Sequence, residues 1–121
     1  MQIQFDCTDP AKLAGFWSAA LDYEIVLVKE DGERAVLADP QGVSPRLVLR
    51  RVPEPKTVKN RLHFDVLVSP LGSPPVEAKP FVDAEAERLR AMGAIELRVM
   101  SKPNDYFIVM TDPEGNEFCI A

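Results

Sequence analysis

The sequence has one histidine and two cysteines in 121 residues. A single imidazole excludes any histidine-rich metal site built within one chain. Cys7 and Cys119 are too few for a disulfide scaffold and lack the C-x-x-C spacing of a zinc knuckle or redox motif. Both fall in strand-like segments and read as small buried hydrophobes. No apolar run approaches the about 20 residues that a membrane-spanning helix needs. The opening residues, MQIQFDCTDP, show no basic stretch leading into an apolar one, so the expectation is a cytoplasmic protein with no membrane partner. Basic residues are the minority, 14 against 19 acidic, for a net charge of −5. That balance argues against nucleic acid, which asks for a concentrated basic surface. It is compatible with a cationic small molecule, although acidity also serves solubility. Arg46, Arg50, Arg51, Lys56, Lys59 and Arg61 do form a local basic cluster around a proline-broken segment, read as a solvated edge in preference to an anion site. G-x-S-x-G, P-loop and G-x-G-x-x-G motifs are all missing, which leaves serine-hydrolase, nucleotide-hydrolase and dinucleotide readings without support.

What is present describes an ordinary globular chain, 46% apolar and 27% charged, long enough to bury one sizeable core. Gln2 to Cys7 alternates as a strand. Asp9-Pro10 is a cap followed by proline at the first helical position. Leu13, Phe16, Trp17, Ala20 and Leu21 then recur with the spacing of an amphipathic helix. Strand-like runs follow at Glu24 to Lys29, Arg34 to Ala38 and Arg46 to Val52, joined by turns at Asp31-Gly32 and at Asp39-Pro40-Gln41-Gly42.

The second half runs in the same order. Leu62 to Val68 reads as a strand, and a loop carries Pro70, Pro74, Pro75 and Pro80. Asp83 reads as the cap of a helix whose Ala86, Leu89 and Met92 face inward, with Gly93 past its end. Strands follow at Ile95 to Met100, Tyr106 to Thr111 and Asn116 to Ile120. Letters match as well. Ile3-Gln4-Phe5-Asp6 resembles Leu62-His63-Phe64-Asp65, and the turn Asp39-Pro40-Gln41-Gly42 returns as Asp112-Pro113-Glu114-Gly115. The turns lie 73 residues apart (39 to 112), the two caps 74 (9 to 83) and the opening strands 59 (3 to 62). Matched order plus two matched segments favours a duplication. The expected fold is α+β: one domain over residues 1–121 made of two tandem βαβββ units, forming a curved eight-stranded cup with both helices on its outer face. Unit one covers about 1–52, a linker 53–60 and unit two about 61–121. The concave face of such a cup is the default ligand site.

The duplicated βαβββ unit, the helix phrase DPxxLAxFWxxxLxYE, the segment VPEPKxxKNRLHFD and the closing DPEGNEF resemble the vicinal oxygen chelate superfamily. That superfamily holds glyoxalase I, bleomycin-resistance proteins and extradiol dioxygenases, and the likeness is greatest to its glyoxalase-like domain branch. The resemblance covers nearly the whole chain and speaks to fold more than to chemistry. It implies a homodimer and a small-molecule ligand or substrate.

Metal-dependent members resemble one another in placing ligands on four inward-facing strands, where a divalent ion polarises adjacent substrate oxygens. Carried over here, the first ligand falls on Gln2 by its spacing to the Phe16-Trp17 pair, or on Gln4 by the internal repeat. The second falls on His63. The fourth strand, Leu47 to Arg51, offers no carboxylate, and the last position holds Cys119, with Glu117 two residues early. The resemblance therefore implies no complete metal site, and no cofactor is expected. Gln2, His63 and Cys119 form the fallback set for a borderline ion such as zinc.

Two uses of the concave face remain. One is binding of a small molecule without metal, lined by Gln2, Gln4, Asp6, His63, Asp65, Glu117 and Cys119. The other is a lyase, isomerase or dioxygenase, metal-dependent or working through His63 with Asp65 and Glu117 as acid–base groups. His63 and Asp65 share a strand face at i, i+2, and Asp6 is the counterpart of Asp65 in the repeat. Glu117 reads equally as a base or as a rim residue. Of Tyr106 and Phe107, one faces the ligand side and the other the helices, and alternation does not say which.

Overall fold

Asp9, two residues past the first strand, caps the first helix, its side chain accepting from the Lys12 N–H at 3.1 Å. A cap of this kind stabilises a helix by about 1 kcal/mol. The computed structural model describes residues 1–70 and 72–121. Their contacts divide the chain into two units, Met1–Thr57 and Val58–Ala121.

In unit one the order is β1 (Gln2–Cys7), α1 (Pro10–Leu21), β2 (Glu24–Val28), β3 (Arg34–Ala38) and β4 (Arg46–Arg51). The sheet order is β1-β4-β3-β2, with β1 parallel to β4 and the other pairs antiparallel. The helix packs on β2, β3 and β4. Leu13, Phe16, Trp17 and Ala20 are buried as the spacing predicts. Trp17 meets Phe5 edge-on at 6.2 Å and Phe16 at 5.3 Å. Such aromatic pairs add about 1 kcal/mol beyond area burial.

Unit two repeats the plan with β5 (Phe64–Val66), α2 (Pro75–Ala91), β6 (Ile95–Lys102), β7 (Asp105–Thr111) and β8 (Glu117–Ile120). Its sheet order is β5-β8-β7-β6, again with one parallel pair, β5 with β8. The described residues thus form an α+β fold of two βαβββ units, eight strands in two four-stranded sheets. The β5 strand is shorter than Leu62 to Val68 because its partner β8 offers only four residues to pair with.

The second helix differs most from expectation. It starts at Pro75, not after Asp83, and carries Pro80 inside it. Helix starts are therefore 65 residues apart (10 to 75), not 74. An internal proline removes one i→i−4 hydrogen bond and costs about 3 kcal/mol. The cost is offset by a buried stripe, Ala78, Val82, Ala86 and Leu89, that runs on both sides of Pro80. Met92, expected inside, is the exposed C-cap residue. Asp83 lies mid-helix, where it accepts from Tyr106 Oη at 2.5 Å and from Lys79 Nζ at 2.6 Å. These bonds hold the Asp83 carboxyl below its ordinary range, the Lys79 bond first and Tyr106 second. They also fix Tyr106 on the helix side of β7.

The two turns serve the same purpose in each unit. Gly42 has φ 69° and Gly115 φ 88°, left-handed values that a residue with a Cβ adopts at a cost. Each glycine N–H returns to the aspartate carbonyl, Asp39 at 2.9 Å and Asp112 at 3.0 Å.

A further identity lies in the edge strands. Register shifts by one residue between Ile25 and Leu27 in β2, and between Glu96 and Arg98 in β6. Both edges therefore carry a bulge at the same place, 71 residues apart (25 to 96).

Candidate functional site

The pairing registers show which residues occupy equivalent places on the sheet faces away from the helices. In unit one a row runs Gln4, Val48, Val36, Leu27 across β1, β4, β3 and β2. Starting from the matching bulge, unit two gives Asp65, Cys119, Val109, Arg98 across β5, β8, β7 and β6. Gln4 is thus the counterpart of Asp65, and Gln2 of His63. The match in letters that paired Asp6 with Asp65 is two residues out of step. An even slip keeps every side chain on its face, which is why the sequence does not betray it.

Gln2, Gln4 and Asp6 are all exposed on β1. The next row of unit one, Asp6, Arg50 and Arg34, is fully charged. Unit one also holds a hollow of ≈ 560 Å³ lined by Gln2, Ala38, Asp39 and Arg46 among others. Its Asp39 carboxylate is already committed to the backbone N–H groups of Gln41, Val43 and Ser44, at 2.8, 3.1 and 2.9 Å. That commitment makes Asp39 a loop-holding residue.

The richer chemistry lies in unit two. A pocket of ≈ 320 Å³ is lined by Lys59, His63, Leu97, Arg98, Phe107, Val109, Glu117, Phe118 and Cys119. Of the expected residues it brings together His63, Glu117 and Cys119, with Asp65 beside Cys119 in the ladder. The half-buried Glu117 and Cys119 alternate with buried Phe118 and Ile120, as the strand pattern predicts. Phe107 takes the pocket side and Tyr106 the helix side, which resolves that pair.

His63 is not steadied by Asp65. Its Nε2 lies 2.9 Å from the Asn60 carbonyl and 2.9 Å from Lys59 Nζ. One nitrogen has either a proton for the carbonyl or a lone pair for the ammonium, so the two contacts alternate with the tautomer. Asn60 also gives its N–H to Glu117 Oε2 at 3.0 Å. Its peptide groups therefore link His63 and Glu117. Asp65 turns to Cys119 instead. Burial, then the Asp65 charge and its hydrogen bond, push the Cys119 thiol above its ordinary range, while Arg98 and Lys59 act in the other direction.

Within unit two this donor set is not arranged as a ready metal site: an ammonium lies within hydrogen-bond distance of the imidazole nitrogen, and Glu117 accepts from a backbone amide. Among the described residues no three His, Cys, Asp or Glu side chains stand close enough to hold an ion.

Lys59, Leu97 and Arg98 were not anticipated as site residues, and Phe107 only as one of a pair with Tyr106. Lys59 passed as part of the solvated basic cluster. Arg98 was unreadable because strict alternation would set it and Leu97 on opposite faces, whereas the bulge presents both to the pocket. Aligning the two edge strands would have found it, since Arg98 takes the place of Leu27.

The sequence matches the family model described as a glyoxalase-like domain over residues 2–121. No curated protein matches it. Among solved structures, a hypothetical protein from S. aureus superposes with a TM-score of 0.72 at 15% identity, covering 99% of this chain and 90% of that one. A glyoxalase/bleomycin resistance protein/dioxygenase family enzyme from Burkholderia phytofirmans gives 0.71 at 17%, covering 98% and 94%. A mutant of the fosfomycin resistance protein FosX from Listeria monocytogenes, complexed with Mn(II) and dihydroxypropylphosphonic acid, gives 0.71 at 14%, covering 98% and 85%. At these identities the likeness is one of fold.

Proposed function

The chain belongs to the glyoxalase-like domain family, and from that premise we propose that its second unit binds a small organic molecule on the open face of its sheet, without a metal ion. One observation carries the reading: a ≈ 320 Å³ pocket joins an apolar floor of Leu97, Phe107 and Val109 to the polar groups His63, Glu117 and Cys119. Small-molecule sites have this make-up and span about 300 to 1,000 Å³, so the occupant is small. The engaged imidazole supports binding without metal. FosX, complexed with Mn(II), is the contrasting case within the same fold. A homodimer and a cytoplasmic setting go with the reading, the first carried over from the resemblance and the second from composition.

Amide chemical-shift mapping with a library of small fragments tests this directly. Shifts should cluster at Leu97, Phe107, Val109 and Cys119 and vanish in Phe107→Ala. Shifts confined to other surfaces would overturn the pocket. Near-stoichiometric manganese, zinc or nickel after loading, lost in His63→Ala, would overturn its metal-free character and favour a metal-dependent enzyme.

A further inference from the structure

Although the chain carries a net charge of −5, its pocket is lined by two side-chain cations, Lys59 and Arg98, against one carboxylate, Glu117. That carboxylate already accepts the Asn60 N–H. Arg98 differs from the arginines of the neighbouring helix. Arg88 is paired with Glu85, and Arg90 with Glu87 and Glu96. Arg98 has no hydrogen-bond or ion-pair partner among the described residues. Asp65 stands in the same row but three strand spacings away, about 14 Å along the sheet at about 4.8 Å per strand. Its carboxylate is turned to Cys119. Between Asp65 and Arg98 the row holds Cys119 and then Val109, and next to Arg98 the floor is apolar, with Phe107 and Leu97 beside Val109.

An unpaired guanidinium at the end of an apolar floor has a definite complement. Its planar fork offers parallel N–H donors to two oxygens of one carboxylate, and the floor offers a face to a flat or branched hydrocarbon body. The positive charges of Lys59 and Arg98 are both felt at Cys119, so they act on the same space. Resting on the pocket reading above, we propose that the ligand class is small organic monoanions. The carboxylate is taken by Arg98, with Lys59 supplying the second positive charge, and the apolar body lies on Leu97, Phe107 and Val109. The overall acidity of the chain is compatible with a cationic ligand; the local charge points the other way, and contact electrostatics outweigh a net charge screened over about 8 Å at physiological salt.

Benzoate, benzamide and benzylamine share a ring and differ in charge, so calorimetric titration of the three separates the terms. Benzoate should bind at least about tenfold tighter than benzamide, with benzylamine weakest. Arg98→Gln should level benzoate with benzamide, and Lys59→Gln should weaken benzoate by a smaller factor. Both side chains are exposed, and circular dichroism checks that each variant folds. Benzamide binding as well as benzoate, with both lost in Phe107→Ala, would overturn the anion preference and leave the pocket standing. Tightest binding by benzylamine would overturn it in favour of cations. Absence of binding by all three at millimolar concentration would overturn the pocket reading and the ligand class together.

Discussion

The two halves of this chain are one topology carrying two different surfaces. Each has a helix on one face of a four-stranded sheet, an Asp-Pro-x-Gly turn and a bulged edge strand. Register by register, Gln4 corresponds to Asp65, Val48 to Cys119, Val36 to Val109 and Leu27 to Arg98. The helix-facing strand residues are mostly apolar in both units, with the Tyr106 hydroxyl bonded to Asp83 as an exception, because a helix packed on a sheet buries that face. The opposite face is bound by no such demand, and there the halves part. Between the two units the helix-packed layer is kept, and the outer one differs.

The inner layer gives the largest test of that contrast. Trp17→Ala and Phe118→Ala remove fully buried aromatics, one from each unit, and each should lower stability by about 3–5 kcal/mol in urea unfolding. Values near zero in either unit would end the claim that the two cores are equivalent.

The turns give the next. Asp112 is buried and accepts from the Glu114 and Asn116 N–H groups and from Asn116 Nδ2. Asp39 performs the same task in a solvated loop. Asp112→Ala should cost about 2–3 kcal/mol, because buried donors lose a charged acceptor. Asp39→Ala should cost clearly less, and equal losses would show that burial does not separate the two turns.

Asp39 should also leave a signature in pH. The N–H groups of Ser44, Gln41 and Val43 lower its carboxyl pKa, Ser44 most, against a smaller opposing effect of burial. Its contribution is then present above the ordinary aspartate value of about 3.9 and is lost as pH falls through the lower folded value. Unfolding midpoints measured over that acid range should flatten in Asp39→Asn, and an unchanged slope would count against the turn.

The smallest effect is expected at Cys119. Its alkylation by iodoacetamide, followed by peptide mass spectrometry, should have a pH midpoint above the ordinary thiol value of about 8.5. Asp65→Asn should lower that midpoint, since Asp65 opposes thiolate formation. Cys7, 4% exposed on β1, should react more slowly at every pH.

The first unit was largely legible because its signals are local. An Asp-Pro cap, a helical stripe and two glycine turns each act within a few residues of themselves. The start of α2 was hidden by a tertiary effect, since only packing on β7 explains a helix that continues through Pro80. His63, Glu117 and Cys119 were readable from strand alternation, and Phe107 became assignable once the Asp83 bond placed Tyr106. Partnerships were not readable. That Asn60, a loop residue, links His63 to Glu117 depends on a turn whose path no periodicity encodes.

The bulge in β6 makes residue count itself part of the pocket. Leu97 and Arg98 stand side by side against Val109 because one extra residue is threaded through the edge. Losing that residue would restore plain alternation and leave one side chain where two now reach the pocket. The ladder on either side would keep its partners. A one-codon deletion could therefore turn a charged rim into an apolar one, or the reverse, while the core is left as it is. Edge strands of this design allow binding preference to change by length alone.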